Sequence, residues 1–496
     1  MSIQLHDTMS GQKRELVPLT PGRIGLYVCG PTVYDLSHLG HARCYVVWDV
    51  VVRHLRRRGL AVKYVRNFTD VDDKIIARAN ARGEDPIALA ARFSVAFDED
   101  MDTLGNVRPD VAPRVSEHMP EIVALIGELV AKGFAYAPGN GDVYYAVRRF
   151  PEYGRLSRRN VDDLQSGARV EPGEAKRDPL DFALWKGAKP GEPAWDSPWG
   201  KGRPGWHIEC SAMTRKHLGE RFDLHAGGKD LVFPHHTNEI AQSVAAHSPA
   251  LHADDYACGW MHNGFVAIDD EKMSKSLGNF FTVRDIVARF DAEGLRFFLL
   301  GTHYRRDINF SDPVLGAAER RLRALYETLE KADRLGAGAA PAPAGPVVEQ
   351  ALAALDDDFN TPQVLGLLAD AFTAANAVAD RKGKKTPEDR AALAGFARDA
   401  RAVGEVLGLF ARPPAEALLA IRGKAAARRG VDPAAVEARI AERAAARAAK
   451  DFARGDAIRG ELLRQGVALM DGAAGTTWTV EAEPAADGAP GAEQRG

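Results

Sequence analysis

The feature that most constrains the fold is a strand that breaks at glycine-proline and feeds a helix opening on two histidines. Residues 24–28 form a short apolar run ending in Cys29-Gly30-Pro31. A helical pattern resumes near His38 and runs through Trp48 and Val52. Residues 61–68 then alternate as a strand, so strand, helix and strand together have the length of a right-handed βαβ crossover. A glycine-containing strand exit that feeds a helix is where α/β proteins hold phosphates. Here the exit carries a thiol, Cys29, and the helix opens with His38-Leu39-Gly40-His41. The two imidazoles are expected on one helical face, with Gly40 letting a ligand approach the backbone.

Composition narrows the setting. The chain has 496 residues, which sets a prior of about three domains. Its formal charge of −3 does not advertise nucleic-acid binding, so any such surface must come from local basic patches. Four cysteines in so long a chain exclude a disulfide framework and fit reduced thiols. No apolar run reaches about 18 residues and no signal-peptide pattern opens the chain. The expectation is a soluble, cytoplasmic protein without a membrane segment.

The α/β pattern divides the chain. Residues 1–132 and 204–260 read as two halves of one α/β domain, interrupted at 133–203 by short strands, glycines and prolines. Ala226-Gly227-Gly228 reads as a second glycine-rich strand exit, followed by a helix from about His235. Residues 261–335 carry a lysine-serine loop and arginine-rich helices, and 336–346 is a Gly/Ala/Pro linker. Residues 347–412 are helix-periodic, 413–480 suit a small C-terminal domain with Arg422, Lys424, Arg428 and Arg429 near its start, and 481–496 should be disordered.

Two further constellations carry chemistry. Glu271-Lys272-Met273-Ser274-Lys275-Ser276-Leu277-Gly278-Asn279 is a cationic loop able to close over a triphosphate. Cys29, Cys210, His235 and Glu239 each stand at the edge of a predicted element, and His235 and Glu239 share a helical face. Two thiols, an imidazole and a carboxylate suit zinc, although His236, His225 and Cys44 compete on the same arithmetic.

The H-x-G-H motif followed by Lys272-Met273-Ser274-Lys275-Ser276 resembles the signature pair of class I aminoacyl-tRNA synthetases. Residues 27–35, Asn67-Phe68-Thr69-Asp70-Val71-Asp72-Asp73-Lys74, Gly205-Trp206-His207-Ile208-Glu209-Cys210 and Phe233-Pro234-His235-His236 look like the cysteinyl-tRNA synthetase family. Asp356-Asp357-Asp358-Phe359-Asn360-Thr361-Pro362, Ala449-Lys450-Asp451-Phe452-Ala453-Arg454 and Gly475-Thr476-Thr477-Trp478 agree, so the resemblance spans nearly the whole chain.

It implies an α/β fold: a Rossmann-type parallel-sheet catalytic domain with an insertion, then an α-helical bundle and a small C-terminal anticodon-binding domain. It implies one zinc ion per chain on Cys29, Cys210, His235 and Glu239, with Glu239 as the weakest ligand. Gly30, Thr69 and Trp206 match positions lining a cysteine pocket. His38, Gly40 and His41 would hold the phosphates of Mg-ATP, and Asp230 its ribose. Lys272 and Lys275 would stabilise the reacting phosphorus and departing pyrophosphate. The implied partners are L-cysteine, ATP and tRNA(Cys), and a monomer is expected. Two departures from the family pattern stand at Ala226-Gly227-Gly228-Lys229 and at Thr237. The competing readings are a cysteine ligase acting on an amino-sugar acceptor and a non-catalytic RNA-binding paralogue.

Overall fold

The structure, a computed structural model, describes residues 2–160, 175–268, 271–272, 281–472 and 475–480. Its centre is a four-stranded parallel sheet in the order Ala257–Asn263, Phe222–Gly228, Arg23–Val28, Ala61–Arg66. Leu26 stands opposite Leu224 on one side and Tyr64 on the other, and all three are buried. That is why the central strand is apolar: both faces of a parallel sheet are covered by its crossover helices. The helix Leu39–Arg57 makes the first crossover and buries Val46, Val50 and Leu55.

From strand Arg23–Val28 the chain crosses to Ala61–Arg66 on one side and later returns to Phe222–Gly228 on the other. The sheet therefore has its topological switch point between Arg23–Val28 and Phe222–Gly228. Open α/β sheets bind ligands beyond the strand ends at such a point. Ala226-Gly227-Gly228, expected as an exit turn, is still strand: it pairs through Gly228 with Asn263.

The insertion is a separate antiparallel sheet of Ala135–Tyr136, Val143–Tyr145, Phe182–Gly187 and Gly202–Pro204. Gly139 and Gly141, both in the left-handed region, turn its first hairpin. Lys186 (2.6 Å) and Arg203 from this sheet ion-pair with Asp73, which tethers it to the turn after Ala61–Arg66.

Helices dominate the rest. Val283–Arg289, Ala292–Leu300 and Asp312–Gly336 lead into Val347–Asp356, Thr361–Ala379 and Pro387–Leu407. Arg296 locks these to the helix Leu39–Arg57: fully buried, it ion-pairs with Asp49 and donates to the carbonyl of Leu407 (2.6 Å). Residues 336–346 are fastened across the helices. Gly345 N–H donates to Asp399 (2.8 Å) and Arg398 donates to the Ala342 carbonyl (2.9 Å).

The helices Pro433–Ala448 and Phe452–Arg464 enclose a small core with the hairpin Val467–Gly472 and Gly475–Val480, built on Ile440, Ile458, Leu462 and Trp478. The basic residues from 422 to 428 are engaged internally. Arg422 lies over the Trp478 ring (4.7 Å), Lys424 donates to the Val287 carbonyl (2.8 Å) and Arg428 pairs with Glu319. Residues 481–496 lie outside the described residues. Among those described, no helix is long and apolar enough to cross a membrane.

Candidate active site and metal centre

His38 is the N-cap of the helix Leu39–Arg57 and stands just outside it. Its Nδ1 accepts from the amides of Gly40 (3.1 Å) and His41 (3.4 Å), while His38 N–H donates to His41 Nδ1 (3.3 Å). The two rings stack with centroids 3.7 Å apart. The motif is thus a reciprocal capping box made of imidazoles, at the end of a helix whose orphan amides and dipole favour anions.

Cys29, at the exit of Arg23–Val28, lies 3.9 Å (Sγ–Sγ) from Cys210 on the helix Trp206–Leu218, and both thiols are free. Glu239 on Thr237–His247 reaches the same place. Its Oε1 is 3.7 Å from Cys29 Sγ and 3.0 Å from His235 Nε2. The four donor atoms lie within 4.8 Å of one another and are buried. A second quartet overlaps it: Cys29, His225, His236 and Glu239 meet the same limits, with His236 Nε2 3.3 Å from Cys29 Sγ. Cys44 joins neither group, and burial pushes its thiol up to about 12.

Electrostatics separate the two thiols. The hydrogen bond from Cys29 lowers Cys210 to about 6 despite burial. Burial, with Cys210 beside it, pushes Cys29 well above the ordinary thiol value. Burial alone would depress His235, but Glu239 and Cys210 lift it to about 10. Burial opposes ionisation of Glu239, yet His225 and His235 hold its carboxyl far below the usual range. The cluster thus balances a thiolate and a carboxylate against an imidazolium on His235, and a bound cation would take the place of that proton.

An outer ring that the sequence did not announce fixes these groups. Glu239 Oε2 accepts from His225 (2.9 Å) and Tyr256 (3.0 Å). His207 Nδ1 meets His235 Nδ1 at 3.0 Å, and His236 Nδ1 meets His262 Nε2 at 2.8 Å. His225, Tyr256 and His262 are buried and His207 is partly buried, so the groups around the ligand-type side chains hold them with little or no contact with solvent.

The expected pocket residues gather at the same strand ends. Gly30 N–H donates to Asn67 Oδ1 (2.7 Å), and any side chain at Gly30 would strike the Asn67 backbone carbonyl. The hydroxyl of Thr69 lies 3.4 Å from Glu209. Trp206 stacks on His235 with centroids 4.4 Å apart. Asp230 is exposed, with its carboxylate lying against Gly228. The departure Thr237 donates to the Val232 carbonyl (2.8 Å), and Lys229 lies over the Phe265 ring (5.9 Å). Lys272 is in a strand paired with Ala267, and Lys275 lies outside the described residues.

Residues 15–320 match the family described as tRNA synthetases class I (C) catalytic domain, and residues 352–411 match the DALR domain. A cysteine–tRNA ligase of Anaeromyxobacter sp. (strain K) is 79% identical over 481 residues, covering 97% of this chain and 100% of the relative. The chain belongs to the cysteine–tRNA ligase family. A cysteine–tRNA ligase of Pelobacter propionicus is 50% identical, covering 97% of this chain and all of the relative.

Among solved structures, Mycobacterium tuberculosis methionyl-tRNA synthetase bound by methionyl-adenylate has a TM-score of 0.53 at 16% identity, covering 83% of this chain and 95% of that one. The Agrobacterium radiobacter K84 agnB2 LeuRS-tRNA-LeuAMS complex has 0.58 at 13%, covering 82% and 86%. These likenesses show the fold. As in other class I synthetases, the catalytic domain of this cysteine–tRNA ligase family member is a parallel α/β sheet followed by helices.

Proposed function

We propose that this chain activates L-cysteine with Mg-ATP and transfers the cysteinyl group to the 3′-terminal adenosine of tRNA(Cys). The observation that carries this reading is the meeting of Cys29, Cys210, His235 and Glu239 at the switch point, on the same strand exit that leads to the H-x-G-H cap. The cysteine carboxylate attacks the α-phosphorus of ATP and pyrophosphate leaves, giving cysteinyl adenylate. The terminal adenosine 2′-hydroxyl then attacks the adenylate carbonyl and AMP leaves. His38 and His41, with the helix amides behind them, orient the phosphates, and Asp230 meets the ribose. Lys272 and Lys275 stabilise charge on the reacting phosphorus and departing pyrophosphate. No covalent nucleophile from the protein is needed, because positioning and electrostatics supply the catalysis.

The donor set fits zinc: two thiols, one already biased to thiolate, an imidazole and a carboxylate converge in a buried site. Cys29, Cys210, His235 and Glu239 would hold the ion. Bound there, zinc supplies a borderline-soft acid that prefers a substrate thiolate over serine's hydroxyl. Gly30, Thr69 and Trp206 would line the rest of the pocket. The DALR match and full-length identity to cysteine–tRNA ligases weigh against an amino-sugar acceptor.

ATP–pyrophosphate exchange with a panel of amino acids tests the first step, and exchange with cysteine alone is expected. No exchange with any amino acid would overturn the proposal. Charging of total tRNA then tests the acceptor.

A further inference from the structure

Basic residues near the strand ends divide by whether an acid already holds them. On the insertion, Arg148 pairs with Asp178 (2.5 Å), and Arg155 pairs with Glu152 (2.9 Å) and Asp254 (2.7 Å). Arg158 and Arg159 follow at once, are exposed, and ion-pair with no acid among the described residues. Lys229, one of the departures from the family pattern, is exposed and equally without an acid among the described residues.

Each is placed by something other than a carboxylate. Arg158 takes a left-handed backbone (φ +54°), and its guanidinium lies so close to Gly11 that any side chain there would strike it. Arg159 lies over the Phe233 ring (5.1 Å), two residues before His235, and Lys229 lies over the Phe265 ring (5.9 Å). A cation seated on a ring keeps its full charge and its N–H donors for a second partner.

The three positions meet at one end of the sheet. Gly11 is in the turn between Gln4–Asp7 and Gln12–Glu15, and the Thr8 hydroxyl of that turn lies 2.8 Å from His262 Nδ1. His262 and Asn263 end the strand Ala257–Asn263, and Asn263 stands opposite Gly228, the residue before Lys229. Phe233, under Arg159, follows Lys229 by four residues. The cations therefore border the exits of Phe222–Gly228 and Ala257–Asn263, whereas the H-x-G-H motif follows the neighbouring strand Arg23–Val28. The proposed function puts the phosphates of ATP at that motif. The other substrate with a chain of phosphates is the tRNA, whose terminal adenosine has to reach the adenylate.

We infer that Arg158, Arg159 and Lys229 hold the single-stranded 3′ end of the tRNA on its way to the adenylate. Their charges meet its phosphates, and the Arg159 plane, backed by Phe233, supports a base. The inference rests on the tRNA-charging reading and deepens it. These residues bind the acceptor and take no part in the first step.

Arg158→Asn, Arg159→Gln and Lys229→Gln each remove one charge from the full-length, zinc-loaded protein, and asparagine tolerates the left-handed backbone at position 158. Three measurements are made: ATP–pyrophosphate exchange without RNA, KM for tRNA in charging over a salt series, and inhibition of charging by tRNA trimmed of its single-stranded 3′ end. Each variant should raise KM for tRNA roughly threefold or more and flatten its log–log dependence on salt by about 0.7, the value of one single-strand phosphate contact. Exchange, including KM for ATP and for cysteine, should stay at wild-type values, and trimmed tRNA should inhibit every form equally. A raised KM for ATP in exchange would assign the cations to the nucleotide and overturn the inference. Weaker inhibition by trimmed tRNA would place the contacts elsewhere on the RNA, and an unchanged KM for tRNA would leave no contact; either result overturns it. Should one variant not fold, the other two decide by the same comparison. Failure of the wild-type protein to charge tRNA would instead overturn the underlying reading, before any variant is compared.

Discussion

His38 and Thr282 face each other in an antiparallel β-bridge. Leu39 N–H donates to the Phe281 carbonyl (3.1 Å) and Val283 N–H to the Ser37 carbonyl (2.8 Å) on either side of it. The chain that follows the lysine-serine segment is thus bonded to the residue that caps the helix Leu39–Arg57. Before that segment, Glu271–Lys272 pairs with Val266–Ile268 in the small sheet that also holds Ile308–Phe310. The described chain on both sides of that segment is therefore held in backbone pairing, on one side to His38 and on the other to Ala267.

Lys275→Ala tests the proposed role of that segment. A lysine acting on charge that develops in the transition state should lower the rate of ATP–pyrophosphate exchange by about 10²–10³-fold. KM for cysteine should stay close to wild type, because ground-state binding does not use this charge. A large rise in that KM would assign Lys275 to cysteine binding instead.

His38 caps the helix Leu39–Arg57 and is proposed to hold phosphate, and substitution can separate the two. Asparagine is a good N-cap and alanine a poor one, and losing a cap costs about 0.5–2 kcal/mol. His38→Asn should keep the unfolding free energy near wild type while exchange falls sharply. His38→Ala should lose both. Denaturant melts alongside exchange rates make the comparison, and full exchange in His38→Asn would leave His38 with capping alone.

These cases show what the sequence could disclose. The strand exit at Cys29 and the helix behind it are local patterns, so apolar run, glycine-proline break and periodicity place them to within a residue or two. The capping role of His38 was hidden, because histidine is not an ordinary N-cap and the reciprocal bond depends on ring stacking. The basic residues at 422, 424 and 428 show their charge in sequence but not their partners Trp478, Val287 and Glu319. Cys29, Cys210 and the pair His235 and Glu239 come from three separated segments. Spacing supports only the His235–Glu239 pair, and even with geometry in hand His225 and His236 form a rival quartet around Cys29 and Glu239.

The rivalry has a direct test. Cys210→Ser should lose zinc and cysteine activation together, whereas His225→Gln should keep its zinc. A chelator-based metal assay on both variants, beside exchange rates, gives the answer. Full zinc in Cys210→Ser with loss in His225→Gln would move the ion to the second quartet.

His54 makes stability depend on pH. It is fully buried on Leu39–Arg57, with Nε2 2.9 Å from Asp356, and burial lowers its affinity for a proton despite that neighbour. The unfolded chain takes up a proton near about pH 6.5 that the folded chain resists. The contribution is therefore fully present above about pH 6.5 and is lost as pH falls through the lower folded value. Unfolding midpoints at about pH 7 and about pH 5 should show a smaller drop in His54→Gln than in wild type. An equal drop would place the titration elsewhere.

Asp358 gives the stretch 356–362 a structural role. It is buried and has φ +62°, followed by Phe359 at +52°, two adjacent non-glycine residues in the left-handed region. Its carboxylate accepts from the His6 amide (2.9 Å), Tyr304 hydroxyl (2.7 Å) and Arg305 Nε (2.7 Å), and its own amide donates to the Gln4 carbonyl (2.9 Å). One acid thereby joins the antiparallel pair Gln4–Asp7 and Gln12–Glu15, the loop after Ala292–Leu300 and the helix pair Val347–Asp356 and Thr361–Ala379. Aspartate and asparagine tolerate this backbone better than alanine, whose Cβ costs about 1–2 kcal/mol there. Asp358→Asn should lose the charge-assisted part of the network, about 1.5–3 kcal/mol. Asp358→Ala should lose that, the neutral hydrogen bonds and the backbone tolerance, and so be the less stable of the two in denaturant unfolding. Equal stability in the two variants would mean that neither the left-handed backbone nor the remaining hydrogen bonds matter to the join.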